Sequence, residues 1–368
     1  MLNENILKND EKAVFALRAL YKSYGYSPFK MSKFEEYDLY VRNKDFLVGD
    51  SVITFNDTNG KLLAMKPDVT LSIIKNTVDG LGAKRKVFYN ENVYRVSPKT
   101  HQFKEIMQTG IECIGDIDIT DVYEVVLLAA KSLAEISPDF ILDISHLGIH
   151  GSFLDEITDN KLLKREITKL ISEKNFHEAV KLCESNGICS DNRELIAFLI
   201  NTYGAPESVL QELEGLCGER AKSALAELKS LCNLLSKTEF KDRIRIDFSV
   251  VNDMRYYDGI VFKGFLNGIA EDVLSGGEYA PLMRRMGRKS NAIGFAFYTD
   301  ILEELNRQSK EYDVDVILHY DINTEAETVV SCKEQLVAEG KTVLAVKVLP
   351  DGIRYREVIE LTEDKAND

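Results

Sequence analysis

The sequence predicts an α+β fold, an antiparallel sheet flanked by helices, with one block of helices inserted between its strand regions and a small α/β piece at the C-terminal side. Three observations predict it. Runs in which apolar and polar residues alternate recur on both sides of a central block, as in RIRIDFSVV, where Ile244, Ile246, Phe248 and Val250 take one face. Between residues 152 and 238 the composition shifts to Leu, Lys and Glu with an apolar residue every third or fourth position, as in LLKREITKLISEKNFHEAVKLCE, which is the period of helices. After residue 310 the pattern changes again: VDVILHY reads as a strand, TEAETVVSCKEQLVAEG as a helix closed by Gly340, and TVLAVKVL as another strand. The expected division is therefore a domain over residues 1–310, carrying the helical insertion at 152–238, and a remnant over 311–368.

The elements follow in order. Val14, Phe15, Leu17, Leu20 and Tyr21 recur at helical intervals, predicting a first helix within residues 11–27 that stops at Tyr26-Ser27-Pro28. Residues 52–66 read as a hairpin, VITF and KLLAM about a turn at Asn59-Gly60, where glycine supplies the positive φ. Val87–Val96, Phe103–Ile114 and Phe140–Ile144 read as strands. Beyond the insertion, YYDGIVFKGF continues the strand pattern, and NAIGFAFYTDILEEL reads as a strand running into a helix. The tail ELTEDKAND reads as frayed.

Composition narrows the function. With 368 residues and 45% apolar content the chain can build a substantial core. Its first residues, MLNENILKNDEK, precede no apolar run, and nothing approaches the roughly 18 uncharged apolar residues of a membrane span, so a cytoplasmic protein without membrane contact is expected. Cys113, Cys183, Cys189, Cys217, Cys232 and Cys332 show no paired metal-ligand spacing and read as reduced packing thiols. His146 and His150 have the interval of a metal-binding helix, but Gly148 between them argues against a helix, and no metal or cofactor is expected. A formal charge of −14 repels nucleic acid, and the runs Lys84-Arg85-Lys86 and Arg284-Arg285 with Arg288-Lys289 read as solvated loops.

One strand stands out for chemistry. In FKEIMQTGIECI, alternation puts Gln108, Gly110 and Glu112 on one face, two hydrogen-bonding side chains about a gap, which would make a floor for a small polar ligand. Close packing is the competing account of the glycine. Asp68 and Thr70 in MKPDVT, Arg95 in VYRV, the pair Tyr256-Tyr257, and Ser275-Gly276-Gly277-Glu278-Tyr279 are the other polar elements able to converge there. Singly, each has a plainer reading: Asp68 a cap for the helix TLSIIKN, Arg95 a surface ion pair, the tyrosines core packing, SGGEY a turn.

Taken in order, these elements resemble the histidyl-tRNA synthetases and their paralogues. MKPDVT is similar to that family's Arg-Pro-Glu-x-Thr element, VYR followed by QTGIECIG to class II motif 2, YYDGIVF to the second histidine signature, GGEYAPL to Gly-Gly-Arg-Tyr-Asp-x-Leu, and AIGFAFYTDIL to motif 3. The resemblance spans residues 10–305 and implies a class II aminoacyl-tRNA synthetase-like sheet. It also implies a histidine pocket in which Asp68, Thr70 and Gln108 meet the α-amino group, Glu112 and Tyr257 the imidazole, and Tyr279 the wall, with Arg95 and Tyr256 beside them. Asp68 departs from the family's Glu and is one methylene shorter.

Against that pattern the groups for adenylate chemistry are missing. Motif 3 has Asp300-Ile301 where a synthetase has Glu-Arg, and Tyr298 replaces a glycine where a nucleotide needs space. Asn252 stands where the family places an arginine, Arg255 is out of register, and the loop VSPKTHQFKEIM lacks further arginines. About sixty residues follow motif 3, too few for a full anticodon-binding domain. The resemblance therefore points to the family's regulatory branch: a non-catalytic regulatory subunit of ATP phosphoribosyltransferase, acting at the first step of histidine biosynthesis. It implies a short-form catalytic chain as partner, L-histidine as feedback ligand, a homodimer within a hetero-oligomer, and no tRNA. The alternative is a divergent histidyl-tRNA synthetase or amino-acid adenylating ligase.

Overall fold

The computed structural model describes residues 7–43, 52–77, 82, 84–96, 100–251, 256–302 and 312–361. The chain divides into two compact units, Met1–Glu303 and Glu304–Asp368.

In the first unit, helix α1 (Asn9–Ser23) leads to β1 (Ser27–Pro28), and β2 (Phe34–Glu36) and α2 (Tyr37–Arg42) follow. β3 (Thr54–Asn56) and β4 (Leu62–Met65) form the expected hairpin, paired Thr54 to Ala64, with Gly60 at φ +80° in the turn. β2 adds to its other edge as a small antiparallel sheet. The short helix α3 (Thr70–Lys75) comes next, then the long ribbon β5 (Lys84–Val96) and β6 (Phe103–Gly115), helix α4 (Ile119–Ile136) and β7 (Phe140–His146).

The helical block runs α5 (Leu147–Ile157), α6 (Lys161–Ser172), α7 (Phe176–Ser185), α8 (Ser190–Asn201), a two-residue β8 (Tyr203–Gly204), α9 (Pro206–Leu216) and α10 (Lys222–Leu235). The chain returns through β9 (Ile244–Asp247), β10 (Ile260–Leu266), β11 (Leu274–Glu278), α11 (Ala280–Arg285) and β12 (Asn291–Tyr298). A single nine-stranded sheet, ordered β1-β5-β6-β12-β11-β10-β7-β9-β8, joins the two strand regions around the insertion. Its pairs from β5 to β7 are antiparallel, while β1 joins β5 and β9 joins β7 in parallel.

Register divides the central strands into two faces. Phe88, Ile111, Phe295 and Phe262 lie on the face covered by α1 and α4, with Gly276 between the last two. The Tyr21 ring of α1 packs tilted against Phe88 and edge-on to Phe295, and its hydroxyl meets Ser132 Oγ of α4 at 3.0 Å. α4 is apolar along that side, with Val122, Val125, Val126, Leu128, Ala129 and Leu133 buried, and it presses on the sheet at Gly264, where a Cβ would fall 2.7 Å from Leu133. The opposite face carries Val87, Glu112, Gly294, Gly277 and Val261 in one row, and α3 packs on that side with Tyr256, Tyr279 and Leu282.

Several expectations are corrected. Gly148 does not prevent a helix: α5 starts one residue before it, because His146 caps the helix by accepting the Gly148 N–H on Nδ1 at 3.0 Å. His146 and His150 do not share a ligand: His146 Nε2 meets Glu227 at 3.0 Å, while His150 is buried with no hydrogen-bond partner for either ring nitrogen among the described residues. Lys84-Arg85-Lys86 is no loop but the start of β5, with Lys84 paired to Asp121 and Lys86 to Glu124. Arg284 and Arg285 close α11, and Arg284 pairs with Asp258. Ser275-Gly276-Gly277-Glu278 is strand, not turn. β9 ends at Asp247, although Phe248 and Val250 beyond it remain buried. α1 ends at Ser23, before the Tyr26-Ser27-Pro28 break as expected; motif 3 runs from β12 into a 3-10 turn at Asp300–Leu302, and the rest of the helix expected there lies outside the described residues.

The second unit is a parallel sheet in the order β14-β13-β15, built from β13 (Val314–Tyr320), helix α12 (Ala326–Ala338), β14 (Val343–Val346) and β15 (Tyr355–Leu361). β15 was not legible in the sequence, and it takes Glu360 and Leu361 out of the tail read as frayed. Gly340 closes α12 at φ +85°. The six thiols are free. Among the described residues no helix is long and apolar enough to cross a membrane, and no group of three or more His, Cys, Asp or Glu side chains could hold a metal ion.

Candidate functional site

The site is built on the row of β-strand positions that ends in Glu112. Gly294 lies directly across from Glu112 on β12, and Gly277 lies across from Gly294 on β11, so two neighbouring strands present no side chain beside the carboxylate. Both absences are required. A Cβ at Gly294 would fall 1.8 Å from Glu112 Oε2, and one at Gly277 would fall 3.0 Å from the Tyr257 ring.

Two hydroxyls hold the carboxyl. Thr70 Oγ1, in the first turn of α3, donates to Oε1 at 2.8 Å, and the Tyr279 hydroxyl donates to Oε2 at 2.7 Å. Burial pushes the Glu112 pKa up to about 8, the Asp68 charge pushes the same way, and the two hydroxyls oppose them. Burial likewise keeps the Tyr256, Tyr257 and Tyr279 phenols protonated, so they serve as donors. Their rings pack together, Tyr256 lying 4.5 Å from Tyr257 and 5.8 Å from Tyr279 between centroids.

Asp68 sits in the turn before α3 and caps it, accepting the Leu71 N–H at 2.9 Å. Its carboxyl is also pushed up by burial, against the Leu71 N–H and Arg95. That turn is tied to β5 twice: Tyr94 N–H donates to Lys66 O at 2.8 Å and Arg95 Nε to Pro67 O at 3.0 Å. Lys66 itself is fully buried and paired with Glu91 at 2.7 Å. Gln108 is buried on the Glu112 face of β6, with Tyr298 as its neighbour across the ladder. Burial raises the Tyr298 phenol, and Arg95, Asp68 and Asp300 all bear on it electrostatically.

The structure thus brings Asp68, Thr70, Arg95, Gln108, Glu112, Tyr256, Tyr257 and Tyr279 to one face of the sheet. Asp68 does cap its helix, as the plainer reading had it, and its charge still bears on the carboxyl of Glu112. Gly110 departs from expectation. Its gap is filled by Tyr89, since a Cβ there would lie 2.5 Å from the Tyr89 hydroxyl and 2.2 Å from Phe295 O. Close packing, not ligand space, accounts for that glycine. Tyr89 is the wall residue the sequence did not reveal, because only the β5–β6 register sets it opposite Gly110. Glu278, in the family-like GGEY element, turns to the other face, accepts the Ile260 N–H at 2.7 Å, and is pushed up to about 7 by burial and the nearby Glu227. Asn252, Arg255 and the first part of the motif 2 loop lie outside the described residues.

A floor with an acceptor carboxyl, phenolic donors and a second carboxylate at its edge is suited to a small molecule carrying N–H groups. The family model described as histidyl-tRNA synthetase matches residues 2–302. The chain belongs to that family. An ATP phosphoribosyltransferase regulatory subunit of Bacillus cereus is 26% identical over 341 residues, covering 89% of this chain and 80% of its own. A crystal structure of an ATP phosphoribosyltransferase regulatory subunit/histidyl-tRNA synthetase from Bacillus halodurans aligns with TM-score 0.73 at 22% identity, over 96% of this chain and 93% of that one. A chain of an ATP phosphoribosyl transferase complex from Thermotoga maritima aligns with TM-score 0.63 at 23% identity, over 79% and 97%. These likenesses show the fold, the class II synthetase-like sheet flanked by helices that the motifs implied.

Proposed function

We propose that this chain is the non-catalytic regulatory subunit of an ATP phosphoribosyltransferase and that its Glu112 pocket takes L-histidine as a feedback signal. The observation that carries the reading is Glu112 itself, a buried carboxyl already oriented by Thr70 and Tyr279 and able to accept an imidazole N–H. Asp68, Thr70 and Gln108 are acceptors for the α-ammonium group, Arg95 supplies positive charge for the ligand's carboxylate, and Tyr256 and Tyr257 close over the ring. The name of the Bacillus cereus relative supports the assignment of role. Asp300 and Ile301 supply no cation to an ATP phosphate, and Tyr298 occupies the strand end beside Gln108.

On this reading the chain, as a homodimer, joins a short catalytic subunit that condenses ATP with phosphoribosyl pyrophosphate in the cytoplasm, and uses neither tRNA nor a cofactor. Regulation requires histidine to bind one assembly state better than another, and the coupling is reciprocal. Calorimetry of the purified chain with histidine, and separately with ATP and magnesium, before and after adding the catalytic subunit, tests it. Histidine binding altered by the partner, without ATP binding, is the expected result. A second reading, a divergent synthetase or amino-acid adenylating ligase, is favoured by the family model's own description. Histidine-dependent pyrophosphate release by the chain alone would establish that reading and overturn the first.

A further inference from the structure

Helix α3 is only six residues long, so nearly all its backbone polar groups belong to its ends, and such a helix has little stability of its own. Its C-terminal carbonyls are nonetheless met by side chains one after another. Asn76 Nδ2 donates to Ser72 O at 2.7 Å, Thr77 Oγ1 to Ile73 O at 2.7 Å, and Arg85 Nη1 to Asn76 O at 2.6 Å. Arg288 Nη2 donates to Ile74 O at 3.1 Å and to Lys75 O at 3.4 Å. The first two are local, and Arg85 comes from the neighbouring strand. Arg288 comes from more than two hundred residues away.

The segment that delivers Arg288 also delivers Tyr279. α11 begins immediately after Tyr279 and ends in a left-handed closure at Gly287, φ +74°, with Gly287 N–H returning to Arg284 O at 3.0 Å and Arg288 N–H to Met283 O at 2.9 Å. That closure aims the Arg288 side chain at α3. Its Nε is buried without a hydrogen-bond partner among the described residues, so the position is held by the surrounding structure despite an unsatisfied donor. A closed circuit results: Glu112 to Thr70, along α3 to Ile74 and Lys75, across to Arg288, back along α11 to Tyr279, and to Glu112 again.

We propose that Arg288 is a positioning residue for the Glu112 pocket, fixing α3 at its far end so that the Thr70 hydroxyl stays on the carboxyl. This deepens the histidine-pocket reading, and its relevance to the ligand rests on that reading; the hydrogen-bond circuit does not. A guanidinium that merely capped a helix would affect overall stability and leave Glu112 unchanged. Thr70 is one of the two donors that favour ionised Glu112, and the Asp68 charge opposes them. Loss of Arg288 therefore raises the midpoint at which Glu112 titrates.

The test is the carboxyl-carbon NMR titration of Glu112 in the full chain labelled at glutamate, for the wild type, Arg288→Met, Arg288→Lys, Thr70→Val and the Arg288→Met/Thr70→Val pair. The expected result is an upward midpoint in Arg288→Met, a smaller rise in Arg288→Lys, and no further rise when Arg288→Met is added to Thr70→Val. An unchanged midpoint in folded Arg288→Met, or simple addition in the pair, overturns the proposal; should Arg288→Met not fold, an unchanged Arg288→Lys does so. Histidine titration of the same proteins is expected to weaken about tenfold in Arg288→Met. Wild-type protein that binds no histidine would sink the ligand assignment, and the Glu112 titration would still decide the role of Arg288.

Discussion

The Tyr279 hydroxyl donates to Glu112 Oε2 at 2.7 Å from a chain segment 167 positions away, and both groups are almost completely buried. Such a bond acts on more than packing, because it decides how readily the carboxyl ionises inside an apolar site. Tyr279→Phe keeps the ring and removes the donor. Loss of about 1–2 kcal/mol of stability and weaker histidine binding are expected, the first measured by chemical denaturation and the second by calorimetry. Unchanged binding would place the ligand elsewhere.

Glu112 also sets a pH dependence. Its folded-state pKa of about 8 lies above the usual 4.5, so the folded chain holds a proton that the unfolded chain has released. The associated stability is complete below 4.5 and is lost as pH rises through about 8. Glu112→Gln, uncharged at every pH, is expected to flatten that part of the profile when denaturation midpoints are compared between about pH 5 and about pH 9. A profile as steep as the wild type's would assign the effect to Asp143 or Glu278, both pushed up to about 7 by burial.

His150 works in the opposite direction. Burial lowers its pKa to about 4 from the usual 6.5, with no hydrogen-bond partner for the ring among the described residues, so stability present above 6.5 is lost as pH falls through about 4. His150→Leu removes both orphaned nitrogens. A gain of about 1 kcal/mol and a flatter acid limb are expected in urea melts; a destabilised variant would mean that the imidazole has a partner in solution.

Gly294→Ala forces a methyl group against Glu112 Oε2. The same methyl would lie 2.4 Å from Ile111 O on the paired strand β6, so both the carboxyl and the local strand pairing must shift, at a cost of about 1–3 kcal/mol. Circular dichroism is expected to report a retained fold while histidine binding is lost, and retained binding would show that the carboxyl is not a ligand contact.

Much of this was legible along the chain, because period and punctuation are local. The hairpin about Asn59-Gly60, the β6 face bearing Gln108 and Glu112, the Leu-Lys-Glu helical block and the Gly340 closure each follow from residues within a few positions of one another. Errors arose where a distant or capping partner outweighed local preference. His146 caps a helix that Gly148 disfavours, Asp121 and Glu124 draw a basic run into a strand, and the paired glycines of β11, which alone read as a turn, are held in the sheet between β10 and β12.

The sequence by itself determined the α+β class, the helical block and the family, and it singled out the candidate pocket residues other than Tyr89, since each is carried by composition, period or ordered motifs. Only the tertiary structure decided that Tyr89 fills the space at Gly110, that Gly294 and Gly277 clear the row beside Glu112, and that Arg288 holds the helix bearing Thr70. These depend on strand register and on contacts between segments far apart in the chain, and a linear pattern specifies which face a side chain takes without specifying what stands opposite it.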